Sequence, residues 1–183
     1  MGAPASAATV NGTGGDDNLR GTAFSDTIRG FGGSDHVYAL AGPDLIFGGS
    51  GFDRVQAGRG NDNIRGGLKL DEVDAGRGDD TIRGGIQADL LNGGQGDDTI
   101  YSGAGRDSIF GAAGSDVIFG GALGDYIVDG LGTDTIYGGL RNDTVVLTKD
   151  GAHDTVSCGS GQDVVYGATG GNTVAADCEE VHV

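Results

Sequence analysis

The 183-residue chain has no tryptophan, one methionine and two prolines, and aromatic residues make up 6% of it. A thick globular core rests on aromatic and bulky aliphatic side chains, so this scarcity argues against one. Basic residues are also few: 11 Lys and Arg stand against 27 Asp and Glu, a net charge of −16. Phosphate backbones attract basic surfaces, so nucleic acid is not an expected partner. Adsorption to anionic lipid is disfavoured on the same ground. No stretch approaches the ~18–20 apolar residues of a membrane span, so no membrane insertion is expected. The charge balance suits a protein that collects cations.

Catalytic signatures are missing as well. There is no G-x-S-x-G, no H-E-x-x-H and no Walker A sequence. Ser157 and Ser160 lie near His153 and Asp154 in the chain, but a triad is recognised by geometry and not by proximity in sequence. Paired acids such as Asp79-Asp80 and Asp97-Asp98 carry the residue types of glycoside hydrolysis. The regular spacing described next accounts for one member of each pair. No enzymatic activity is expected.

What the chain does have is glycine, 40 residues of it. Glycine loses the most backbone entropy on ordering, and with high net charge it ordinarily signals disorder. Only a definite pattern overrides that reading, and one is present. From Asp17, steps of nine reach Asp26, Asp35, Asp44, Asp53, Asp62, Asp71, Asp80, Asp89, Asp98, Asp107, Asp116, Asp125, Asp134 and Asp143 without a miss. After a two-residue insertion near Lys149-Asp150 the series resumes at Asp154 and Asp163, and Asn172 holds the next slot. Two places after each acid stands Leu, Ile or Val, from Leu19 through Ile82 to Val174.

Each unit then consists of a glycine-rich turn ending in Asp and a three-residue strand such as Thr81-Ile82-Arg83, with its middle residue inward. One inward residue cannot sustain a unit alone, so units must stack. Two units make a coil of 18 residues, with a strand on each side and a turn at each end. Residues 18 apart sit above one another at roughly 4.8 Å. Like charges at that spacing repel, by roughly 1 kcal/mol per pair in bulk water and several times that at lower dielectric. A divalent cation between carboxylates reverses the sign.

Gly94-Gln95-Gly96-Asp97-Asp98-Thr99-Ile100 follows the pattern G-G-x-G-x-D-x-U-x. On that motif and its register the sequence resembles the haemolysin-type, or RTX, calcium-binding repeats from about residue 8 to 174. The resemblance implies an all-β fold, a right-handed parallel β-roll or β-solenoid with two short strands per coil. It also implies Ca²⁺ in the turns, held by the Asp carboxylates of stacked turns and by backbone carbonyls. The residues agree with calcium. Ca²⁺ takes six to eight hard oxygens in flexible geometry, whereas Mg²⁺ demands a tighter octahedron. Zinc prefers Cys and His, and His36, His153 and His182 lie far apart in the chain.

The two edges of such a roll differ. On the first, Gly42, Gly60, Gly78, Gly96, Gly114 and Gly132 stand two places before Asp44, Asp62, Asp80, Asp98, Asp116 and Asp134, while Asp26 has Phe24 there. A continuous calcium ladder is expected from Asp44 to Asp134. On the second, glycine precedes Asp17, Asp35 and Asp53, and again Asp107, but Lys69, Gln87, Leu123 and Arg141 take that slot before Asp71, Asp89, Asp125 and Asp143. Sites are expected near Asp17, Asp35 and Asp53, with Asp107 a further candidate and few or none otherwise. The departing turns carry Leu68, Ile86 and Leu140 one place earlier. These represent either drift in a tolerant repeat or an apolar stripe for packing or self-association.

Cys158 and Cys178 are the two cysteines. With the calcium pattern they are expected to pair in an extracellular setting, stabilising by about 3 kcal/mol on the chain-entropy model and fastening the last coil. Two buried thiols, or zinc bound with His153 or His182, are the alternatives. Residues 1–7 are expected to form an N-terminal tail or a remnant of added residues, 8–147 the roll, and 148–183 the slipped final repeats and a disulfide-fastened cap, with the run from Asp177 to Val183 capping the roll. The start, MGAPASAATV, is Ala-rich like the edge of a trimmed secretion signal but holds no apolar signal core. Outward strand positions Phe47, Arg65, Arg83, Tyr101, Phe119 and Tyr137 fall on one line. They either stack to support the sheet or form a platform for a polymer or surface. The leading expectation is a secreted calcium-binding module, structural or secretion-assisting. The rival is a calcium-rigidified adhesion protein using that line.

Overall fold

The structure is a computed structural model, and it describes residues 6–168 and 171–183. Of the expected tail, residues 1–5 lie outside the described residues. Twenty strands follow one another. They are β1 (Thr9–Asn11), β2 (Asn18–Arg20), β3 (Thr27–Gly32), β4 (His36–Ala41), β5 (Leu45–Ser50), β6 (Arg54–Arg59) and β7 (Asn63–Leu68). Next come β8 (Glu72–Arg77), β9 (Thr81–Ile86), β10 (Leu90–Gln95), β11 (Thr99–Ala104), β12 (Ser108–Ala113), β13 (Val117–Ala122) and β14 (Tyr126–Leu131). The last are β15 (Thr135–Leu140), β16 (Thr144–Val146), β17 (Thr155–Ser160), β18 (Val164–Tyr166), β19 (Thr173–Val174) and β20 (Glu180–His182). The odd strands form one ten-stranded parallel sheet and the even strands another, each in chain order. The chain is therefore an all-β parallel β-solenoid with two strands per coil, and no helix occurs among the described residues.

Pairing follows the expected step. Ile64 lies against Ile82, and Ile82 against Ile100, 18 residues apart. The insertion widens two pairings, Thr135 with Thr155 and Thr144 with Val164. At the end the step shortens, and Val164 pairs Glu180.

The strands differ from the sequence reading in length. Most run six residues and turn two side chains inward. In β9 these are Ile82 and Gly84. The first inward position holds the aliphatic column, fully buried from Ile28 to Val165. The second holds glycine or alanine in most coils because its space is already taken. A Cβ on Gly66 would lie 2.6 Å from Asp71 Oδ2 and 2.8 Å from the Gly84 carbonyl oxygen. The turn aspartate folds back over the strand that precedes it. Each layer of the interior is thus half aliphatic and half carboxylate over glycine, and this is how a chain poor in aromatics fills its core.

The C-terminal end is closed by Asp177. Strand β19 stops after Val174, and the Asp177 carboxylate accepts hydrogen bonds from Ser157 Oγ (3.0 Å), Cys158 N (3.3 Å) and Gly159 N (3.1 Å). It supplies acceptors that a longer strand would have offered. Those hydrogen bonds, the one from Gly159 N foremost, hold its carboxyl below the ordinary range. Cys158 and Cys178 form a disulfide beside it, with Cα atoms 5.2 Å apart.

Candidate metal centre

The turn aspartates form two ladders, one along each edge of the solenoid. Each carboxylate reaches back one coil. Asp80 Oδ1 accepts from Asp62 N at 2.7 Å, and Asp98 Oδ1 from Asp80 N at 2.8 Å. The second edge repeats this: Asp71 Oδ1 accepts from Asp53 N at 2.9 Å and Asp89 Oδ1 from Asp71 N at 2.8 Å. The ladders continue through the insertion, with Asp154 and Asp163 receiving Asp134 N and Asp143 N. Asn172 ends the first ladder, as its place in the register suggested, by accepting from Asp154 N at 3.2 Å. Glu179 ends the second, accepting from Asp163 N at 2.8 Å. Glu179 escaped the nine-residue count because the final step is shorter.

The other oxygen of each carboxylate has no partner. Oδ2 of every ladder aspartate from Asp35 to Asp143, and of Asp163, is buried without a hydrogen bond. No basic side chain compensates. Among the described residues Arg54 forms an ion pair with Glu72, and His182 lies 4.0 Å from Glu180, both away from the ladders. Burial is therefore the largest influence on these acids and raises their carboxyls. Asp71 and Asp125 are pushed up to about 8. Asp62, Asp80, Asp89 and Asp134 reach about 7. Asp44, Asp98, Asp116 and Asp143 reach about 6. Hydrogen bonds from the backbone pull the other way but do not win.

Asp17 is different. Thr13 donates to its Oδ2 from both N (2.6 Å) and Oγ1 (2.9 Å). Thr22 serves Asp26 in the same manner. The N-terminal coil thus satisfies with hydroxyls what later coils leave open.

The second member of each acid pair also has a place. Asp79 Oδ1 accepts from Asp97 N at 3.0 Å, and Asp97 Oδ1 from Ser115 N at 2.7 Å. This outer row reaches forward one coil, opposite to the inner ladder. The sequence motif alone had left it a plain turn position.

Among the candidate residues, the six first-edge glycines all have positive φ, from 102° at Gly42 to 146° at Gly114. Gly78, at 129°, lies outside the range a side chain adopts, and a Cβ there would run into the Gly60 carbonyl. In the corresponding second-edge slot, Lys69, Gln87, Leu123 and Arg141 sit at 76–80°, the left-handed helical region. These four second-edge turns therefore differ in backbone φ from the first-edge turns, whereas Gly33 and Gly51 (φ 99° and 142°) on the same edge resemble them; the carboxylates match from Asp35 to Asp143. Asp71, Asp89, Asp125 and Asp143, omitted from the candidate set, present the same buried Oδ2 as Asp80.

Buried, unpartnered carboxylate oxygens in register, without neutralising cations of the protein's own, define a class: a β-solenoid built around hard, oxygen-only cation sites. The donor set suits Ca²⁺. Against protein-family models, the RTX calcium-binding nonapeptide repeat (4 copies) matches residues 11–46, 38–68, 70–100, 92–127, 110–145 and 150–174. The chain belongs to that family, whose repeats bind Ca²⁺. No curated protein matches the chain.

Proposed function

We propose that the chain is a secreted protein whose roll folds when calcium reaches it, serving as a structural or secretion-assisting module. The observation that carries this is the continuous set of buried Oδ2 atoms lacking any donor. Fully ionised and metal-free, the ladders oppose folding through desolvation and like-charge repulsion. Calcium bound to the folded state alone supplies the missing free energy by linkage. At low cytosolic calcium the chain stays largely unfolded, and outside the cell it folds. The disulfide fits an oxidising compartment. The proposed ligands are the carboxylates of Asp35, Asp44, Asp53, Asp62, Asp80, Asp98, Asp107, Asp116 and Asp134, with the turn carbonyls of Gly42, Gly60, Gly78, Gly96, Gly114 and Gly132. Asp17, already served by Thr13, is the weakest member.

Far-ultraviolet circular dichroism during calcium titration tests this. Coil should convert to sheet, chelator should reverse the change, and Mg²⁺ should be a poor substitute. A chain that takes no calcium at millimolar concentration contradicts the reading.

The adhesion reading rests on the outward line. Tyr101, Phe119 and Tyr137 stack with centroids 4.8 and 4.9 Å apart and planes within 2° and 7°. Arg29 and Arg65 flank Phe47, and Arg83 covers Tyr101. The rings cover one another's faces, so a polymer finds mainly edges to touch. This favours sheet support over a ligand platform. Joint replacement Tyr101→Ala and Phe119→Ala separates the two: loss of surface binding with calcium-driven folding intact would favour adhesion.

A further inference from the structure

Among the described residues, one buried acidic side chain lies off both ladders. Asp129, in β14, occupies the second inward position, which holds Gly111 in the neighbouring strand β12 and Ala57 and Ala75 further back. It is 1% exposed. Its Oδ1 accepts hydrogen bonds from Gly130 N and from Thr148 N (2.8 Å), whereas its Oδ2 has no partner. Just as Asp116 Oδ2 crowds the position at Gly111, the ladder acid Asp134 adjoins Asp129. One oxygen each from Asp129, Asp134 and Asp154 lies within 4.8 Å of the others, and all three residues are buried. Asp134 Oδ2 is likewise without a donor.

The surroundings explain how the extra carboxylate fits. This is the coil where two residues are added, so Asp134 is followed on its ladder by Asp154, 20 positions on. The widened turn is tied down by Asp150, which accepts from Gly132 N at 2.7 Å and Ala152 N at 2.8 Å. His153, adjacent in sequence, is engaged through Nδ1 with the Gly171 carbonyl at 2.8 Å. The trio therefore offers oxygen alone.

We infer that Asp129, Asp134 and Asp154 form a calcium site that shares Asp134 with the repeating ladder, gains Asp129 from outside it, and is tighter than any repeating turn site. Among the described residues no ordinary rung gathers three carboxylates this closely, and calcium affinity rises with the number of charged ligands. Oxygen-only donors select a hard cation. The identity of the ion rests on the calcium reading of the roll. The existence of a separate site rests on Asp129.

The test is calorimetric titration of calcium into the metal-free full chain, wild type beside Asp129→Gly and Asp129→Asn. Glycine is what Gly111 already provides in the preceding coil, and asparagine keeps an acceptor for Gly130 and Thr148. Wild type should show one site at least tenfold tighter than the rest. Both variants should lose it, binding one ion fewer, while calcium-induced sheet formation persists. Variants with unchanged stoichiometry and unchanged tightest affinity would overturn the inference and leave the calcium-dependent roll standing. No calcium binding by wild type would overturn both. A crystal structure of the calcium-loaded wild type gives a readout independent of variant folding. An ion among the three carboxylates supports the site, and the trio without an ion overturns it.

Discussion

The two edges of the solenoid carry the same acid in the same register, yet their turns are built differently. On the first edge Gly60, Gly78, Gly96, Gly114 and Gly132 sit at φ of 125–146°. On the second, side chains at 69, 87, 123 and 141 hold φ to 76–80°. Hydrogen bonding to the carboxylates is alike on both. The difference therefore lies in the backbone conformation of the turns, and calcium needs turn carbonyls as well as carboxylates. An aspartate ladder alone sets up a demand for positive charge. The glycine turn decides how well calcium can meet it. On the second edge the demand remains, and protons are the other cation available: Asp71 and Asp125, raised furthest, both lie there.

The largest effect separating the two answers is pH. In the metal-free protein the carboxyls of Asp44, Asp62, Asp71, Asp80, Asp89, Asp98, Asp116, Asp125, Asp134 and Asp143 lie at about 6 to 8 in the folded state, above the ordinary 3.8. Folding then takes up protons. The stability this confers is complete below the unfolded value and is lost as pH rises through 6 to 8. Metal-free protein should gain sheet as pH falls from 8.5 to 5, measured by circular dichroism with chelator present. Apparent calcium affinity should weaken over the same descent, because protons compete for the same oxygens. Affinity independent of pH would break the link between the two cations.

Next in size is a pair of turn substitutions. Gly78→Ala places a Cβ against the Gly60 carbonyl at a φ only glycine tolerates, and should cost about 1–3 kcal/mol or more in calcium-saturated stability. Gln87→Gly, in the matching slot of the other edge, should be nearly neutral to folding and should raise calcium stoichiometry or affinity. Equal losses from both would erase the distinction between the edges. A finer comparison is Asp80→Ala against Asp89→Ala. Both remove a buried carboxylate, but Asp80→Ala should weaken calcium-driven folding more, read as the shift in calcium midpoint. Equal shifts would mean that the carboxylates dominate and the turn conformation is secondary. The smallest expected effect is Phe119→Ala, about 0.5–1.5 kcal/mol per lost stacked pair, with no change in calcium stoichiometry.

Much of the architecture was legible because two residue types kept strict time. The aspartates and the aliphatic residue two places on specify the coil, the register and which side chains face inward. Strand length was not legible: a Gly-Gly pair such as Gly84-Gly85 reads as a turn, and it takes the folded-back Asp89 to show why glycine is required inside a strand. The orphan oxygens follow from that same folding back. Glu179 was hidden because the coil shortens to 16 residues at the end, where a count of nine loses its meaning. A cap from Asp177 onward was expected, but not the carboxylate of Asp177 as the group that receives the strand's donors. Asp129 was hidden because it replaces a small residue in one coil alone, and a repeat reading averages over such exceptions. The stripe of Leu68, Ile86 and Leu140 does fall on one row of the odd sheet, as expected, but Ala104 and Ala122 interrupt it.

The most direct measurement is the circular dichroism spectrum of the purified, disulfide-intact chain at pH 8, first with all divalent metal removed and then with calcium restored. Unfolded chain converting to sheet on calcium addition is the predicted result. A spectrum already rich in sheet before any metal is added, and unchanged afterwards, would show that the buried carboxylates need no cation and would contradict the account.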